Sequence, residues 1–215
     1  AVRPVLEQHV RLLRREDLAL PAQQADRVAM TRRARREIAD LLATEGYFSP
    51  RIRFDREDPA SWVLEVEPGP RTEIAAVDIA FTGDLAVSGE GGPEYLELLR
   101  ANWGLPVGQP FRQSTWDSAK AALLDAVSAR TYAAARIAES RAEIDPETAQ
   151  ARLKVRIDSG PAFFLGELEV EGIEHLPADL VHRYSQLRPG APYDREALLA
   201  FQTDLQNTPH FGSVI

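Results

Sequence analysis

Alternation of apolar and polar residues occurs at two places in the chain, about ninety residues apart. Residues 62–70 alternate and then stop at a Pro-Gly-Pro sequence. Residues 151–161 repeat the pattern and stop at Gly-Pro. In the second copy the apolar positions are Ala151, Leu153, Val155 and Ile157, and the polar positions between them are Arg152, Lys154 and Arg156. A period of two in segments rich in β-branched residues predicts strands with one buried face and one face in water.

The same kinds of element follow each break. After Pro70, apolar residues between Ile74 and Phe81 predict a strand, and residues 163–170 after Pro161 predict another. Further on, a Gly-x-Pro-aromatic motif also occurs twice. Its two copies are Gly108–Phe111 and Gly190–Tyr193.

Long predicted helices end in aromatic elements at three places. Two of these helices follow the Gly-x-Pro-aromatic motifs, and Asp194 is a predicted N-cap. A third helix precedes both motifs. The pairs of helix and aromatic element are Asp26–Thr44 with Gly46-Tyr47-Phe48, Ser114–Ser128 with Thr131-Tyr132, and Asp194–Leu205 with His210-Phe211.

The repeated unit therefore reads strand, short helix, long helix, aromatic junction, strand, strand. In the middle copy the predicted elements are 74–81, 93–101, 112–129, 133–143 and 149–158. The predicted fold class is α+β: tandem βααββ modules, each a three-stranded mixed sheet with two antiparallel helices on one face. The expected modules are 1–70, whose first strand is missing or cut, 71–161, which is complete, and 162–215, which is truncated after its helices.

Composition limits the function classes. The formal net charge of −8 argues against general nucleic-acid binding, which needs an excess of cations. The chain has no cysteine, which excludes thiol catalysis and cysteine metal sites. One basic run stands out, at Arg32, Arg33, Arg35 and Arg36. Its simplest interpretation is a solvated helix face, and the alternative is a patch that binds a partner.

Catalytic and cofactor motifs are missing from the sequence. The four histidines, His9, His175, His182 and His210, show no metal-ligand spacing, and there is no Gly-x-Ser-x-Gly elbow. The tryptophans Trp62, Trp103 and Trp116 are expected in the core or at module junctions rather than in a ligand site. We therefore expect no enzyme activity, no metal and no cofactor.

The order of elements, the Gly-Tyr-Phe junction and the Gly-Pro links resemble those of POTRA domains, the periplasmic modules of the outer-membrane assembly superfamily. Residues 26–50, 77–83 and 187–201 resemble the first, second and third modules of the TamA family within it. Residues 211–215 continue the third. The resemblance implies a location on the periplasmic side of the bacterial outer membrane. It also implies a role in the assembly of outer-membrane proteins and autotransporters.

Three partners follow from that resemblance. They are unfolded outer-membrane or autotransporter substrates, an inner-membrane-anchored TamB-like protein, and a C-terminal β-barrel of the same protein. A second interpretation stays open. In it the chain is a docking scaffold of a related POTRA protein, BamA-like or from two-partner secretion, and binds no substrate itself.

In POTRA folds the strand after the helices lies at a sheet edge, where unpaired peptide groups can take an incoming strand. Two segments are the candidates for this β-augmentation. The first consists of Arg51, Ile52, Arg53, Phe54 and Asp55, and the second contains Ala133, Ala135, Arg136, Ile137 and Glu139.

Overall fold

The computed structural model describes residues 24–58, 61–88, 92–172 and 180–208. In chain order the elements are α1 (Gln24–Thr44), β1 (Arg51–Asp58), β2 (Ser61–Glu67), β3 (Glu73–Thr82), α2 (Asp84–Ser88), α3 (Gly92–Ala101), α4 (Gln113–Ser128), β4 (Arg136–Asp145), β5 (Gln150–Asp158), α5 (Leu180–Tyr184) and α6 (Arg195–Gln206). Within these ranges, no helix is both long enough and apolar enough to cross a membrane.

The strands form two sheets. β1 and β2 pair antiparallel, with Arg51 opposite Glu67 and Phe54 opposite Leu64. The other three strands form a mixed sheet in the order β3-β5-β4, so β5 is central and β4 lies at an edge. The α+β class with a mixed three-stranded sheet and helices confirms the predicted fold class.

Strand β5 confirms the alternation argument. Ala151, Leu153, Val155 and Ile157 are all buried, with at most 2% of their surface exposed. Arg152 between them is exposed, while Lys154 and Arg156 are half-buried. A central strand has neighbours on both sides, so only its two faces differ in exposure, and its sequence period reports the buried face directly.

A small core covers one face of the β1–β2 sheet. Ile38 and Leu42 of α1 are fully buried there. The half-buried side chains packed against them are Leu41, Tyr47, Ile52, Phe54, Leu64 and Val66. The spacing of Ile38 and Leu42, four residues apart, places both on one helix face.

By its internal contacts the chain falls into two compact units. The first comprises Ala1–Asp78, Gly104–Ala119 and Arg141–Lys154, and the second comprises Ile79–Trp103, Lys120–Ser140 and Val155–Ile215. Trp116 of the first unit and Trp103 of the second are buried, as expected for core residues. The side chain of Trp62 lies outside the described residues. The division into modules 1–70, 71–161 and 162–215 stays a prediction.

Two predicted strands need correction. The strand expected over residues 163–170 is absent from the described chain, where only Phe164 pairs, in an isolated bridge with Pro192. Phe163 and Leu165 form backbone hydrogen bonds with Tyr193, Ala191 and Gly190, but residues 166–170 pair with no strand among the described residues. The strand expected from residue 133 begins at Arg136. Tyr132 accepts a hydrogen bond from the Ala135 N–H (2.9 Å), which holds Ala133 and Ala135 in a turn before β4.

The predicted N-cap of the last helix is confirmed. Asp194 has an extended backbone, and its side chain accepts a hydrogen bond from the Ala197 N–H at 3.1 Å. This bond satisfies one of the amide groups that the first turn of a helix leaves without a partner. The aromatic element expected at His210-Phe211 lies outside the described residues, as do residues 211–215.

Candidate functional site

The outer side of β4 is the first candidate interaction edge. Because β5 pairs with β4 on one side, the peptide groups on the other side of β4 have no strand partner among the described residues. Arg136, Ile137 and Glu139 lie on this strand, as the sequence predicted. Ala133 and Ala135 do not, since both precede it in the turn.

Charged side chains near the start of β4 bind to residues of β5. Arg136 pairs with Asp158 at 2.5 Å, and Glu139 pairs with Arg156 at 3.6 Å. The Arg136 side chain is 70% exposed, so we expect its ion pair to contribute less than about 1 kcal/mol of stability. The side chains of Arg136 and Glu139 are both directed toward β5, so neither of them covers the outer edge of β4.

Strand β1 is the second candidate edge, and all five predicted residues lie on it. Arg51 and Arg53 pair across to Glu67 and Glu65 of β2, at 3.9 and 3.8 Å. Ile52 and Phe54 point to the opposite face, where they pack on α1. The structure thus gives β1 one polar and one apolar face, and Asp55 stands opposite Val63.

The basic run on α1 is solvent-exposed, in agreement with its simplest interpretation. Arg33 pairs with Glu37 at 2.9 Å. The Arg35 guanidinium lies over the Phe54 ring, 5.6 Å from its centre, and covers the end of the β1–β2 core.

The aromatic junction in the first unit is a short network of backbone hydrogen bonds. The Thr72 N–H donates to the Gly46 carbonyl, and the Phe111 N–H donates to the Thr72 carbonyl, each at 2.8 Å. The next residues of the chain continue it: the Ile74 N–H donates to Gln109 and the Ile74 carbonyl accepts from the Gly108 N–H. The Gly-x-Pro-aromatic motif therefore binds the segment that follows Pro70.

The second unit contains the same network at the repeat-equivalent positions. The Phe163 N–H donates to the Thr131 carbonyl (2.6 Å), and the Tyr193 N–H donates to the Phe163 carbonyl (2.9 Å). The Leu165 N–H donates to Ala191, and the Leu165 carbonyl accepts from the Gly190 N–H. The repeated aromatic and Gly-x-Pro motifs thus mark one recurring backbone junction.

An ion pair accompanies each junction, with the charges reversed. In the first unit Arg112 contacts Glu45 at 2.5 Å, and in the second Arg130 contacts Asp194 at 3.6 Å. Neither pair is predicted by the local sequence patterns. Aligning the repeats would have found them, since Glu45 and Arg130 both precede the aromatic junction and Arg112 and Asp194 both follow the Gly-x-Pro-aromatic motif.

Among the residues that the structure describes, two titratable groups depart from their ordinary pKa values, and both have structural partners. Hydrogen bonds from Thr148 and from the Glu147 N–H lower the pKa of Asp145 in the turn between β4 and β5. Burial raises the pKa of Tyr95, whose hydroxyl donates to the Ala126 carbonyl at 3.2 Å.

Metal-binding clusters are absent from the part of the chain that the structure describes, where no three His, Asp or Glu side chains converge. Of the four histidines only His182, on α5, lies there.

Comparisons with known proteins find similarity among solved structures. No protein-family profile matches the chain, and no curated protein matches it. Among solved structures, Haemophilus influenzae BamA POTRA3-5 has a TM-score of 0.51 at 18% identity, over 86% of this chain and 72% of that one. The N-terminal domain of Omp85 from Thermosynechococcus elongatus has a TM-score of 0.39 at 11% identity, over 95% and 78%. POTRA1-3 of the periplasmic domain of Omp85 from Anabaena has a TM-score of 0.37 at 13% identity, over 80% and 69%. The likeness to the BamA structure shows that the chain has a POTRA-like fold.

Proposed function

We propose that the chain is the periplasmic POTRA region of an outer-membrane protein assembly factor, and that it binds extended segments by β-augmentation. The observation that carries this proposal is the position of β4 at an edge of the three-stranded sheet. The solved structures of similar fold are POTRA domains of BamA and Omp85, and one is described as periplasmic. As a scaffold of POTRA domains the chain would have no catalytic role.

The chemistry of an open strand edge suits transient binding. An incoming strand of about five residues makes four or five backbone hydrogen bonds, each contributing roughly 0.5–1.5 kcal/mol. Ordering that segment costs about 1–2 kcal/mol per residue, which opposes most of the gain. We therefore expect dissociation constants from the high micromolar to the millimolar range, and tolerance of side-chain identity. Such binding releases what it holds.

We assign this region to the TamA type on the sequence resemblance of residues 26–50, 77–83 and 187–201. The partners are then unfolded outer-membrane or autotransporter substrates, an inner-membrane-anchored TamB-like protein and a β-barrel of the same protein. The acidic net charge of −8 is compatible with protein partners and unfavourable for nucleic acid.

The docking scaffold is the second candidate, and one observation favours it. The edge of β3 at Ile74 is already occupied within the chain, by Gly108 and Gln109. If β1 and β4 meet neighbouring parts of a longer protein in the same way, they are not open to substrates.

Titration with a strand-forming peptide tests the proposal. Adding an amphipathic peptide to the ¹⁵N-labelled chain should shift amide resonances along Arg136–Asp145 or Arg51–Asp55. The control peptide carries proline at alternate positions, so it lacks the N–H groups needed for pairing. Shifts that are absent from both strands, or equal for the two peptides, contradict β-augmentation and leave the docking scaffold.

A further inference from the structure

Strand β3 forms the other edge of the three-stranded sheet. Its burial pattern shows which way its peptide groups point. Ile74 and Ile79 are both buried, with 1% and 8% of their surface exposed, while Ala76 and Asp78 are exposed. The two isoleucines are five positions apart, an odd spacing that strict alternation would place on opposite faces. Burial of both side chains at an odd spacing is what a one-residue shift in register, as at a β-bulge, would produce.

Hydrogen bonds at the two ends of β3 identify its outer side. The exposed Glu73 donates to the Ala149 carbonyl and the exposed Thr82 accepts from the Ser159 N–H, at the two ends of β5. The buried Ile74 instead binds Gly108 and Gln109, away from β5. Residues on one face of a strand direct their peptide groups to the same side. Glu73 and Thr82 both bond to the ends of β5 although they are nine positions apart, which requires such a shift. Ile79, three positions before Thr82, therefore directs its peptide groups to the outer edge.

Arg100 lies on that edge. Its Nε donates to the Ile79 carbonyl at 3.3 Å, and its guanidinium carbon lies 5.4 Å from the centre of the Phe81 ring. A second nitrogen of the guanidinium contacts Glu97 at 2.7 Å, which holds the group over the strand. Three contacts thus fix one cation at the half of the edge that Gly108 and Gln109 do not cover.

We propose that Arg100 closes the outer edge of β3 to incoming strands and so directs strand addition to β4. A peptide that adds to β3 must displace a charged donor from the Ile79 carbonyl, and hydrogen bonds from charged donors are stronger than those from an amide. It must also remove the guanidinium from Phe81. Charged side chains that cover edge strands protect them from unwanted pairing. This inference rests on the proposed function, because it assigns the edge that binding uses.

Arg100→Met tests the proposal, because it keeps an apolar side chain beside Phe81 and removes the donors. The ¹⁵N-labelled variant is titrated with the amphipathic strand peptide used for the wild type. The wild type should show shifts along β4 and none along residues 77–81. The variant should show both sets and bind a second peptide. Shifts in the variant that match those of the wild type overturn the proposal.

Glu97→Gln is the matched control, because it removes the negative charge beside Arg100 and keeps the donor to Ile79. It should retain the wild-type pattern. If Arg100→Met loses its folded circular dichroism signal, Arg100→Leu takes its place, since it keeps an apolar side chain near Phe81 and has no donor for the Ile79 carbonyl. The same two outcomes then apply.

A different outcome would contradict the proposed function. If neither β1 nor β4 of the wild type responds to the peptide, β-augmentation by the wild type is wrong. Shifts along residues 77–81 in the variant still decide the role of Arg100.

Discussion

Glu45 and Arg112 form an ion pair 2.5 Å long, although they are 67 positions apart in the chain. Glu45 follows α1, and Arg112 precedes α4. The pair therefore joins the two ends of one junction, beside the hydrogen bonds of Gly46 and Phe111. In the second unit the equivalent residues are Arg130 and Asp194, with the charges exchanged. If the partners were exchanged, Arg112 would meet Arg130 and Glu45 would meet Asp194, and both pairs would repel. The charges therefore favour the pairing within each junction.

Reversing the charges of this pair should show the selectivity. E45R and R112E should each lower the free energy of unfolding by roughly 0.5–2 kcal/mol, because each removes an attraction and creates a repulsion. The double variant E45R/R112E should recover most of the loss. Urea denaturation measures the three values.

The same exchange at Arg33 and Glu37, an ion pair within α1, is the control for that experiment. We expect changes of about 0.3–0.5 kcal/mol there, as for other pairs four residues apart on a helix. A double variant at the junction that is no more stable than the single ones contradicts the assigned pairing.

Gly46 should be intolerant of any side chain. Its φ of 92° lies in the left-handed region, and a Cβ at this position would overlap the Phe111 carbonyl oxygen. G46A should therefore lower the free energy of unfolding by about 2 kcal/mol or more. Urea denaturation followed by tryptophan fluorescence measures the change.

Two other glycines separate the effect of backbone strain from the effect of steric overlap. Gly108 has a φ of 86° but open space around its Cβ position, so G108A should cost only the backbone strain, about 1 kcal/mol. Gly104 does not have a positive φ, and the nearest atom to a Cβ added there is the Cβ of Ala119, at 4.0 Å. G104A should therefore leave the free energy of unfolding nearly unchanged. Equal stability of G46A and G104A would show that Gly46 does not hold the junction.

The strands that could be predicted from the sequence are those in which buried and exposed positions alternate regularly. β5 is central, so the buried positions from Ala151 to Ile157 alternate strictly and report its boundaries. β4 was placed three residues too early, because the alanines before Arg136 carry no alternation that would separate a turn from a strand. The strand predicted after Pro161 is wrong because residues 166–170 pair with no strand among the described residues, and an apolar pattern does not supply that partner.

The junctions depend on contacts that local patterns do not contain. Thr131 has a φ of 50°, a value that favours glycine, and only the repeat relates it to Gly46. The role of Arg100 is equally hidden, because its target is the backbone of Ile79 and a carbonyl group has no sequence signature.

The pH dependence of stability should include a contribution from Asp145. Hydrogen bonds from Thr148 and the Glu147 N–H lower its pKa in the folded chain. Such a group stabilises the fold above the pKa it has when unfolded, and this stabilisation is lost as the pH falls through the folded value. D145N keeps an acceptor oxygen and removes the charge. The wild type should be more stable than D145N at pH 7, and the difference should shrink as the solution is acidified below pH 4. A difference that grows on acidification would contradict this role.

The edge of β4 offers the most direct test of mechanism, through two neighbouring proline variants. Adjacent residues of a strand direct their N–H groups to opposite sides, so only one of Ala138 and Glu139 donates toward β5. Proline at that position breaks the ladder and should lower the free energy of unfolding by about 3 kcal/mol. Proline at the other removes an outward N–H and should leave the fold nearly as stable as the wild type.

Only the second of these variants is informative about binding, and urea denaturation identifies it. With the amphipathic strand peptide, its amide shifts along Arg136–Asp145 should weaken at least several-fold at equal peptide concentration, since one backbone hydrogen bond and the extended geometry around it are lost. Alanine at Glu139 is the control for the loss of its side chain, including its ion pair with Arg156, and should leave binding unchanged because pairing uses the backbone. If the stable proline variant binds as tightly as the wild type, the peptide does not add to β4. The open edge is then a docking surface for a folded neighbour, whose contacts do not depend on that N–H group.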